Sequence, residues 1–421
     1  MLGIVRVGGF SRARSLFLVL FFARWAAPVQ SQEILEPMTI EECRQFALNH
    51  QPAVAAANIS AYAGNQKAGA LTRMGFFSRF SRELPIRQQQ AAWGINAVNA
   101  TAQQQALDTT FDVNFTYLSV LYGQKQLEVA NKGLKNLNEL RDIAQSILKN
   151  GTRTDVTTRH TDQIDIMLLT GTARKETATS GIARAQAALR EAMGLKTGDP
   201  IPLAATNLPT WANLPDDEQV LYGARCLRGE VRAARALIEI SRWEVCAQGT
   251  GGFFKVQSRT FASGADLHAF SPPTGMRGED YLPPGVGPEM PPNLAGRKRD
   301  RQATAGIYAN RAAVVAEKAE NLAVLEAENY LIRFKENMAR AEKLNKAAIL
   351  AENLSAKLRE RFDPSTTKIS LDELMNAGTM VVSTRLDANE ATYRALLDLA
   401  TLERASGGAF CLELNWPQSN P

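Results

Sequence analysis

Apolar residues recur along most of this chain at alternating intervals of three and four residues, the spacing of amphipathic helices that pack as coiled coils. The longest run extends from about Gln88 to Leu148, and a comparable run extends from about Ala303 to Phe362. Each run is followed by a short break and a further helical pattern. Helices of this length need neighbours along their whole extent, so the pattern predicts long antiparallel helical pairs.

The apolar seam can be assigned position by position in both helices of the first pair. The outgoing helix, interrupted only by Arg141, carries Val120, Gly123, Leu127, Ala130, Leu134, Leu137, Ala144 and Leu148. The returning stretch, interrupted by Lys175, carries Leu168, Gly171, Ala178, Ile182, Ala185, Leu189 and Ala192. The second long helix continues the scheme with Leu331, Phe334, Met338, Ala341 and Ala348. The fold class predicted is therefore all-α dominated, with long antiparallel coiled-coil hairpins.

Two short breaks interrupt these helices in the same way. The stretch "ILKNGTRTDVTTRHTD" stops at Gly151 and restarts near Asp155, and "RERFDPSTTKISLDELMN" turns at Pro364 and restarts at Asp372. The second Asp lies 217 residues after the first, about half the chain length. A unit repeated at that distance indicates duplication, with hairpin turns at Gly151 and Pro364.

The duplication divides the chain. We predict a signal peptide at 1–31, a first repeat at 32–198, a linker at 199–216, a second repeat at 217–410 and a tail at 411–421. The first repeat opens with Thr39 and Glu42 at capping-box spacing, and Pro52 is suited to begin a second helical run. The second repeat opens with a helix predicted from about Asp217 to Ala247. Its Gly/Pro-rich insertion at 248–301 has no helical rhythm and offers material for two short strands.

The amino terminus has the features of a secretory signal. Arg6, Arg12 and Arg14 precede the apolar run from Ser15 to Ala23, and small residues follow near 29–31. A membrane anchor is the alternative, but the run is far shorter than the roughly 20 residues needed. Removing 1–31 removes four Arg and no acid, so the net charge falls from +5 to +1. This leaves no basic stripe, and nucleic-acid binding is not expected.

The residues that usually carry chemistry are scattered. His50, His160 and His268 are isolated, no hydrolase or phosphate-binding motif is present, and we predict neither an enzyme nor a cofactor. His160 is expected to form a solvent-facing pair with Asp162. The four cysteines, in no metal-binding motif, are Cys43, Cys226, Cys246 and Cys411. Disulfides Cys226–Cys246 or Cys43–Cys411 are possible after export, but buried small hydrophobes are the favoured interpretation.

Taken together, these segments resemble a known family. "TIEECRQFALNHQP" is similar to the opening of the TolC-like outer-membrane efflux proteins, and the stretch from Ile147 to Gly194 resembles their first periplasmic hairpin. The resemblance implies a homotrimeric α-helical tunnel with four strands per chain in an outer-membrane barrel. It also implies a periplasmic adaptor (a membrane fusion protein) and an inner-membrane pump as partners, and a location in the outer membrane and periplasm.

The resemblance also assigns roles to residues at the turns, which would close the periplasmic mouth. Asp155 stands at the Asp of the first turn and Lys368 at a basic position of the second, where the two would latch neighbouring coils. Asp372 matches the first Asp of an acidic ring at the constriction, and Met375 replaces the second. The alternative from the residues alone is that Asp155, and likewise Asp372 and Glu373, cap helices.

The strand regions depart from the family pattern. Residues 75–87 are too few for a strand pair, and only 250–272 offers strand material, so a small or absent β portion is expected. The predicted function is the passive outer-membrane channel of a tripartite efflux or type I secretion system. The alternative is an exported periplasmic coiled-coil scaffold without a membrane barrel. An adaptor is disfavoured because two hairpins per chain suit a tunnel wall.

Overall fold

The long helical pairs are present, and they occur twice. The computed structural model describes residues 36–74, 81–151, 153–250, 290–366 and 368–417. In the first half these comprise α1 (Ile40–His50), α2 (Pro52–Thr72), α3 (Leu84–Asn150) and α4 (Thr158–Ala192). In the second half they comprise α5 (Asp217–Cys226), α6 (Gly229–Gly249), α7 (Lys298–Arg361) and α8 (Leu371–Ala405). The predicted signal peptide, the strand material at 250–272 and residues 75–80 lie outside the described residues, apart from Thr250.

The helix lengths of the two halves match in order. They are 11, 21, 67 and 35 residues in the first half and 10, 21, 64 and 35 in the second. At a rise of about 1.5 Å per residue, α3 and α7 are each roughly 100 Å long. Four lengths that repeat in the same order are the structural counterpart of the repeated turns, and they indicate duplication of the whole helical unit.

The starts of the helices follow local sequence chemistry, with one exception. The side chain of Thr39 accepts from the backbone of Glu42 in a full capping box, and Pro52 opens α2, as predicted. The predicted continuous helix from Asp217 to Ala247 is wrong, because α5 ends at Cys226 and α6 begins at Gly229. Gly229 lies so close to α3 that a Cβ there would be 2.3 Å from the carbonyl oxygen of Ala100. The helix breaks where this approach occurs.

The returning helices α4 and α8 end in the same way. Gly194 and Gly407 follow them with φ of +73° and +68°, the left-handed conformation that glycine adopts without strain. Each glycine packs on the break between the two short helices of its own half. A Cβ on Gly194 would lie 2.7 Å from the carbonyl oxygen of His50, and one on Gly407 would lie 2.6 Å from the nitrogen of Arg228. Both halves therefore end their last helix in the same way, with a left-handed glycine that packs on the break between the two short helices.

Several of the predicted seam residues contact each other closely between α3 and α4. A Cβ on Gly123 would lie 2.8 Å from Cγ1 of Ile182, and one on Gly171 would lie 2.8 Å from Cδ2 of Leu134. Glycine at these seam positions lets the helices approach closely. The second seam is formed by α7 and α8, where buried seam residues of α7 are Leu331, Phe334, Ala341 and Ala348.

The helices form one layer, with two exposed edges. Towards the hairpin turns the order across the layer is α4, α3, α8, α7, and away from them it is α2, α3, α6, α7. α4 packs mainly on α3, and α2 packs on α3 and on α1. As a result α4 buries only four of its residues, Ile164, Gln186, Leu189 and Ala192. A layer of this kind leaves α2, α4 and one side of α7 open.

Buried ion pairs join helices inside this layer, and one of them connects the two halves. Arg87 on α3 donates to Glu244 on α6 over 2.6 Å and to Glu83 over 2.8 Å, with the Arg87 and Glu244 side chains almost fully excluded from solvent. Arg228, at the break before α6, pairs with buried Glu326 on α7. Breaking such a pair would leave an unpaired charge in the interior, so these contacts favour this packing arrangement of the helices.

The linker and the tail, which we predicted as segments outside the repeats, pair with each other. β1 (Thr210–Trp211) in the linker is antiparallel to β2 (Leu414–Asn415) in the tail. Trp211 packs edge-on against Phe334 of α7, and Trp416 packs edge-on against Tyr117 of α3. The two strands thus hold Trp211 and Trp416 against the middle of α7 and α3, respectively. Within the described ranges β1 and β2 are the strands present, in agreement with the small β portion predicted.

The four cysteines are free thiols with different environments. Cys43 is fully buried on α1, and this burial raises the pKa of its thiol to about 12. The expectation that all four are buried small hydrophobes is wrong for the others, because Cys226 is partly exposed and both Cys246 and Cys411 are exposed. Within the described ranges, the helices lack the combination of length and apolarity that a membrane span requires.

Candidate functional site

The predicted mouth residues lie at the two hairpin turns, which pack together. The first turn leaves α3 at Gly151, whose φ of +62° reverses the chain, and enters α4 at Thr158. The second turn leaves α7 after Arg361, passes Pro364 and enters α8 at Leu371. Gly151 and Pro364 therefore both lie where the structure reverses direction.

A shared apolar cluster holds the turns side by side. Its buried members come from α3, the first turn, α4 and α8: Leu140, Ala144, Ile147, Val156, Ile164, Leu371, Leu374 and Met375. Phe362 and Ile369 of the second turn pack against it. Because the cluster draws on both halves of the chain, the two turns form one unit, which we call the tip.

Asp155 is bound by an arginine of its own turn. Nε and Nη2 of Arg153 donate to the two carboxylate oxygens of Asp155 over 2.9 and 2.5 Å. The hydrogen bonds from Arg153 hold the pKa of Asp155 below its ordinary value, and they raise the pKa of Arg153 in turn. The alternative role for Asp155, as the helix cap, is wrong. Thr157 is the N-cap of α4, and its backbone N–H donates to Nδ1 of His160 over 3.1 Å.

The predicted pair between Asp155 and Lys368 is not formed within the chain. Arg153 is two residues from Asp155 and reaches it at little entropic cost, so the carboxylate is already occupied. Lys368 is exposed on the second turn, near Asp363. The pKa of Asp363 is lowered, first by hydrogen bonds from the hydroxyl and backbone N–H of Ser365 and further by the charges of Lys368 and Arg153.

Asp372 occupies the first turn of α8 but does not cap it. Ser370 is the N-cap and forms a capping box with Glu373. Oδ2 of Asp372 lies 3.5 Å from Nε2 of His160, so the histidine expected to pair with Asp162 faces the other hairpin instead. Met375, which the resemblance placed in an acidic ring, is 3% exposed inside the apolar cluster. Its side chain packs between the hairpins, as expected for an apolar side chain.

Arg153 is the residue of the tip that sequence reasoning missed. It is 5% exposed, and besides Asp155 it binds the second turn: Nη2 donates to the carbonyl oxygen of Ile369 over 3.0 Å, and the guanidinium lies 5.5 Å from the ring centre of Phe362. The available signal was an Arg two residues before an Asp in a short turn. Attention to the Asp as a helix cap obscured it.

A groove leads along the coils from the tip. It has a volume of about 740 Å³ and lies between α4 and α8 over α3. Small and apolar residues dominate its lining, including Gly171, Ala178, Gly181, Leu137 and Gly378. Gly181 and Gly378 have open space where a Cβ would be. A groove with this lining suits the apolar face of another helix.

The described residues contain no group of three or more His, Cys, Asp or Glu side chains that could hold a metal ion. The tip cluster and the groove are built mainly from apolar and small side chains that pack the hairpins together. Arg153, Asp155, His160 and Asp372 bring the polar groups of the two turns together at one end of the helical layer.

Comparison with known proteins gives a clear result for the fold. Neither a family profile nor a curated protein matches the sequence. Solved structures do match: CusC, described in connection with transmembrane channel formation, has a TM-score of 0.66 at 14% identity over 91% of this chain and 97% of its own.

Two further structures agree. The open state of the MtrE outer membrane channel of Neisseria gonorrhoeae has a TM-score of 0.65 at 16% identity, covering 88% of this chain and 89% of its own. The outer membrane protein VceC of Vibrio cholerae has a TM-score of 0.62 at 15% identity, covering 88% and 96%. This chain therefore has the fold of the TolC-like outer-membrane channels.

Proposed function

We propose that this chain is the wall of a passive homotrimeric tunnel, the outer-membrane channel component of a tripartite efflux or type I secretion system. The observation that carries the proposal is the single layer of very long helices with open edges. A helix of about 100 Å buries its apolar surface only against neighbours along its length. One chain supplies those neighbours to α3 and α8 but not to α2, α4 or the outer side of α7.

The open edges carry apolar side chains, as an unassembled wall should. Four apolar side chains on one edge are 52% to 73% exposed: Ile59 and Tyr62 on α2, and Ile166 and Leu169 on α4. The opposite edge, α7, exposes Ile307, Val314, Ile332, Ile349, Leu350 and Leu354. Since the two edges differ, contact between chains joins the α2 and α4 edge of one to the α7 edge of the next. Such head-to-tail contacts close into a ring when the rotation permits.

The partners follow from the tip and the groove. We infer that a periplasmic adaptor places a helix in the groove between α4 and α8 and that an inner-membrane pump supplies the energy, the tunnel itself being passive. The channel is not an enzyme and requires no cofactor. The fold shared with outer-membrane channels supports this arrangement, and its location is then the outer membrane and periplasm.

The test of the channel is a combined fractionation and conductance measurement on the full-length protein. We expect the chain in the outer-membrane fraction, as a trimer in detergent, with stepwise conductance after reconstitution into a planar bilayer. Recovery only as a soluble periplasmic monomer would refute the proposal.

The second candidate is an exported periplasmic scaffold that spans no membrane. Its support is the scarcity of strands in the described ranges, where β1 and β2 have two residues each. The same fractionation separates the candidates, because a scaffold is expected in the soluble periplasm and gives no conductance steps.

The groove offers a direct test of the adaptor. Gly378→Leu adds a side chain into open space, so the fold should be kept, while the groove is partly filled from its α8 side. We expect adaptor binding to weaken by about 10-fold or more, as measured by co-purification and titration of the purified adaptor. The matched control is Gly306→Leu on α7, which also meets open space but does not line this groove. Equal binding by both variants would exclude the groove as the docking site.

A further inference from the structure

We propose that Arg153 is the positioning residue that ties the two mouth turns of one chain together, so that the tip moves as one body. The contacts of Arg153 do not depend on the proposed channel, but their consequence for opening of the mouth rests on it. It replaces the predicted latch between Asp155 and Lys368 with a contact inside each chain.

The Arg153 side chain reaches from the first turn to the second. Arg153 belongs to the first turn, yet it donates to the carbonyl oxygen of Ile369 and lies over the ring of Phe362, both in the second turn. These two residues stand on either side of Pro364, next to α8 and α7 respectively. A single guanidinium therefore contacts both ends of the opposite turn.

Asp155 fixes the orientation of the Arg153 guanidinium. Both carboxylate oxygens of Asp155 accept from Arg153, and this two-point contact fixes the plane of the guanidinium. With Nε and Nη2 held by Asp155, Nη2 also points at Ile369. Asp155 thus acts through Arg153: it aims the guanidinium. A lysine could not do this, because an ammonium is a point charge without a fixed plane of donors.

Asp155 and Lys368, the partners of the predicted latch, have other neighbours in this structure. Asp155 has both oxygens bound to Arg153, and Lys368 is exposed beside Asp363 of its own turn. A pair between Asp155 and Lys368 would first have to break a bidentate contact whose arginine is buried and whose carboxylate is partly exposed. In this chain the contact between turns is made by Arg153, which is 5% exposed.

The consequence for the channel is that the turns separate only when Arg153 releases Ile369. Within each chain the tip of the first hairpin cannot swing away from the tip of the second while that bond holds. An opening movement of the mouth then displaces both tips together, or it is preceded by release of Arg153.

The test measures the distance between the turns directly. Spin labels are placed on exposed Thr154 and Glu360 in a chain whose Cys226, Cys246 and Cys411 are replaced by serine, and labelled chains are diluted into unlabelled ones. We expect one narrow distance distribution in the parent. Arg153→Ala should increase the population of separated turns by about 10-fold or more, because a charge-assisted contact is lost at a site shielded from water.

Three variants make the result specific. Arg153→Lys should separate the turns nearly as much as alanine, since the charge remains but the fixed donors do not. Lys368→Ala and Arg159→Ala, the second an exposed cation on the first turn of α4, should leave the distribution unchanged. Circular dichroism establishes that the helices persist in each variant.

Two outcomes would overturn the inference: a distribution that Arg153→Ala leaves narrow, or one that broadens only in Lys368→Ala. The distance measurement needs no conductance. If Arg153→Ala broadens the distance distribution but the protein forms no pore, the channel is refuted and the Arg153 contact stands. If the protein conducts but Arg153→Ala leaves the distances unchanged, the channel stands and the role of Arg153 is refuted.

Discussion

Two kinds of ion pair occur among the described residues, and they differ in access to water. Arg87 and Glu244 join α3 to α6 in the interior, whereas Lys346 and Glu342 lie on an exposed face of α7. A charge that loses its partner is stabilised by water at the surface but not in the interior. Ion pairs of similar geometry therefore differ in their contribution to stability. The pair at the tip is intermediate, because the Arg153 side chain is buried and that of Asp155 is 38% exposed.

The buried pair can be tested by neutralising one partner. Glu244→Gln should lower the free energy of unfolding by about 3 kcal/mol, the lower end of the range for buried pairs, because Glu83 still binds Arg87. The exposed control Glu342→Gln should leave the denaturant midpoint unchanged. Equal midpoints for both variants would contradict a structural role of the buried pair.

Acid should loosen the tip. The pKa of Asp155 is lowered in the folded chain by the hydrogen bonds from Arg153, so its contribution to stability is present above the unfolded value of 3.8 and is lost as pH falls through the lower folded value. We expect hydrogen exchange at the first turn to accelerate below about pH 4 relative to the rest of α3. Asp155→Asn should remove this additional pH dependence, and an unchanged profile in that variant would rule out Asp155 as its source.

At the scale of elements, helix ends are defined by backbone conformation more than by helix preference. Gly194 stands at φ +73° against the carbonyl of His50, while Gly198, a few residues on, has open space around it. Gly194→Ala should cost about 1–2 kcal/mol from the left-handed backbone alone, with a further cost from the clash. Gly198→Ala is the matched control, expected near zero. Thermal unfolding of both variants decides this, and equal melting temperatures would contradict it.

The sequence was informative wherever structure follows local chemistry. The cap at Thr39, the start of α2 at Pro52 and the coil seams with Gly123 and Gly171 all depend on neighbours in the chain or on helical period. The break before Gly229 was missed because no proline marks it, and its cause is a contact with Ala100 of α3, far away in sequence.

The same reason limited prediction of the candidate site. The pattern placed Asp155, Lys368 and Asp372 at the turns, but it could not give their partners, because Ile369 and Phe362 reach Arg153 only after both hairpins have packed. The position of Met375 on α8 was known from the sequence, but the side of the helix that it faces was not. A buried side chain at that position became evident only with α3 beside it.

At the scale of the whole molecule, the open edges predict assembly. Leu350 on α7 is 68% exposed in the isolated chain and would be covered by the next chain in a ring. Leu350→Asp should shift the detergent-solubilised protein from trimer to monomer in sedimentation velocity, since a charge at an apolar contact must be desolvated. Leu214→Asp in the linker, at 60% exposure, is the matched control. A trimer that persists in Leu350→Asp would place the contact elsewhere.

The central position of α3 also has a consequence for the order of folding. α3 packs against α1, α2 and α4, which are close to it in sequence, and against α6 and α8, which follow much later. The first repeat can therefore form early, but one side of α3, including Gly133 facing Val382 of α8, stays uncovered until the second repeat arrives. Contacts of such long sequence separation form slowly and leave apolar surface accessible in the interval. If the chain is exported, as its amino terminus predicts, this interval is the period in which a periplasmic chaperone would have most to bind.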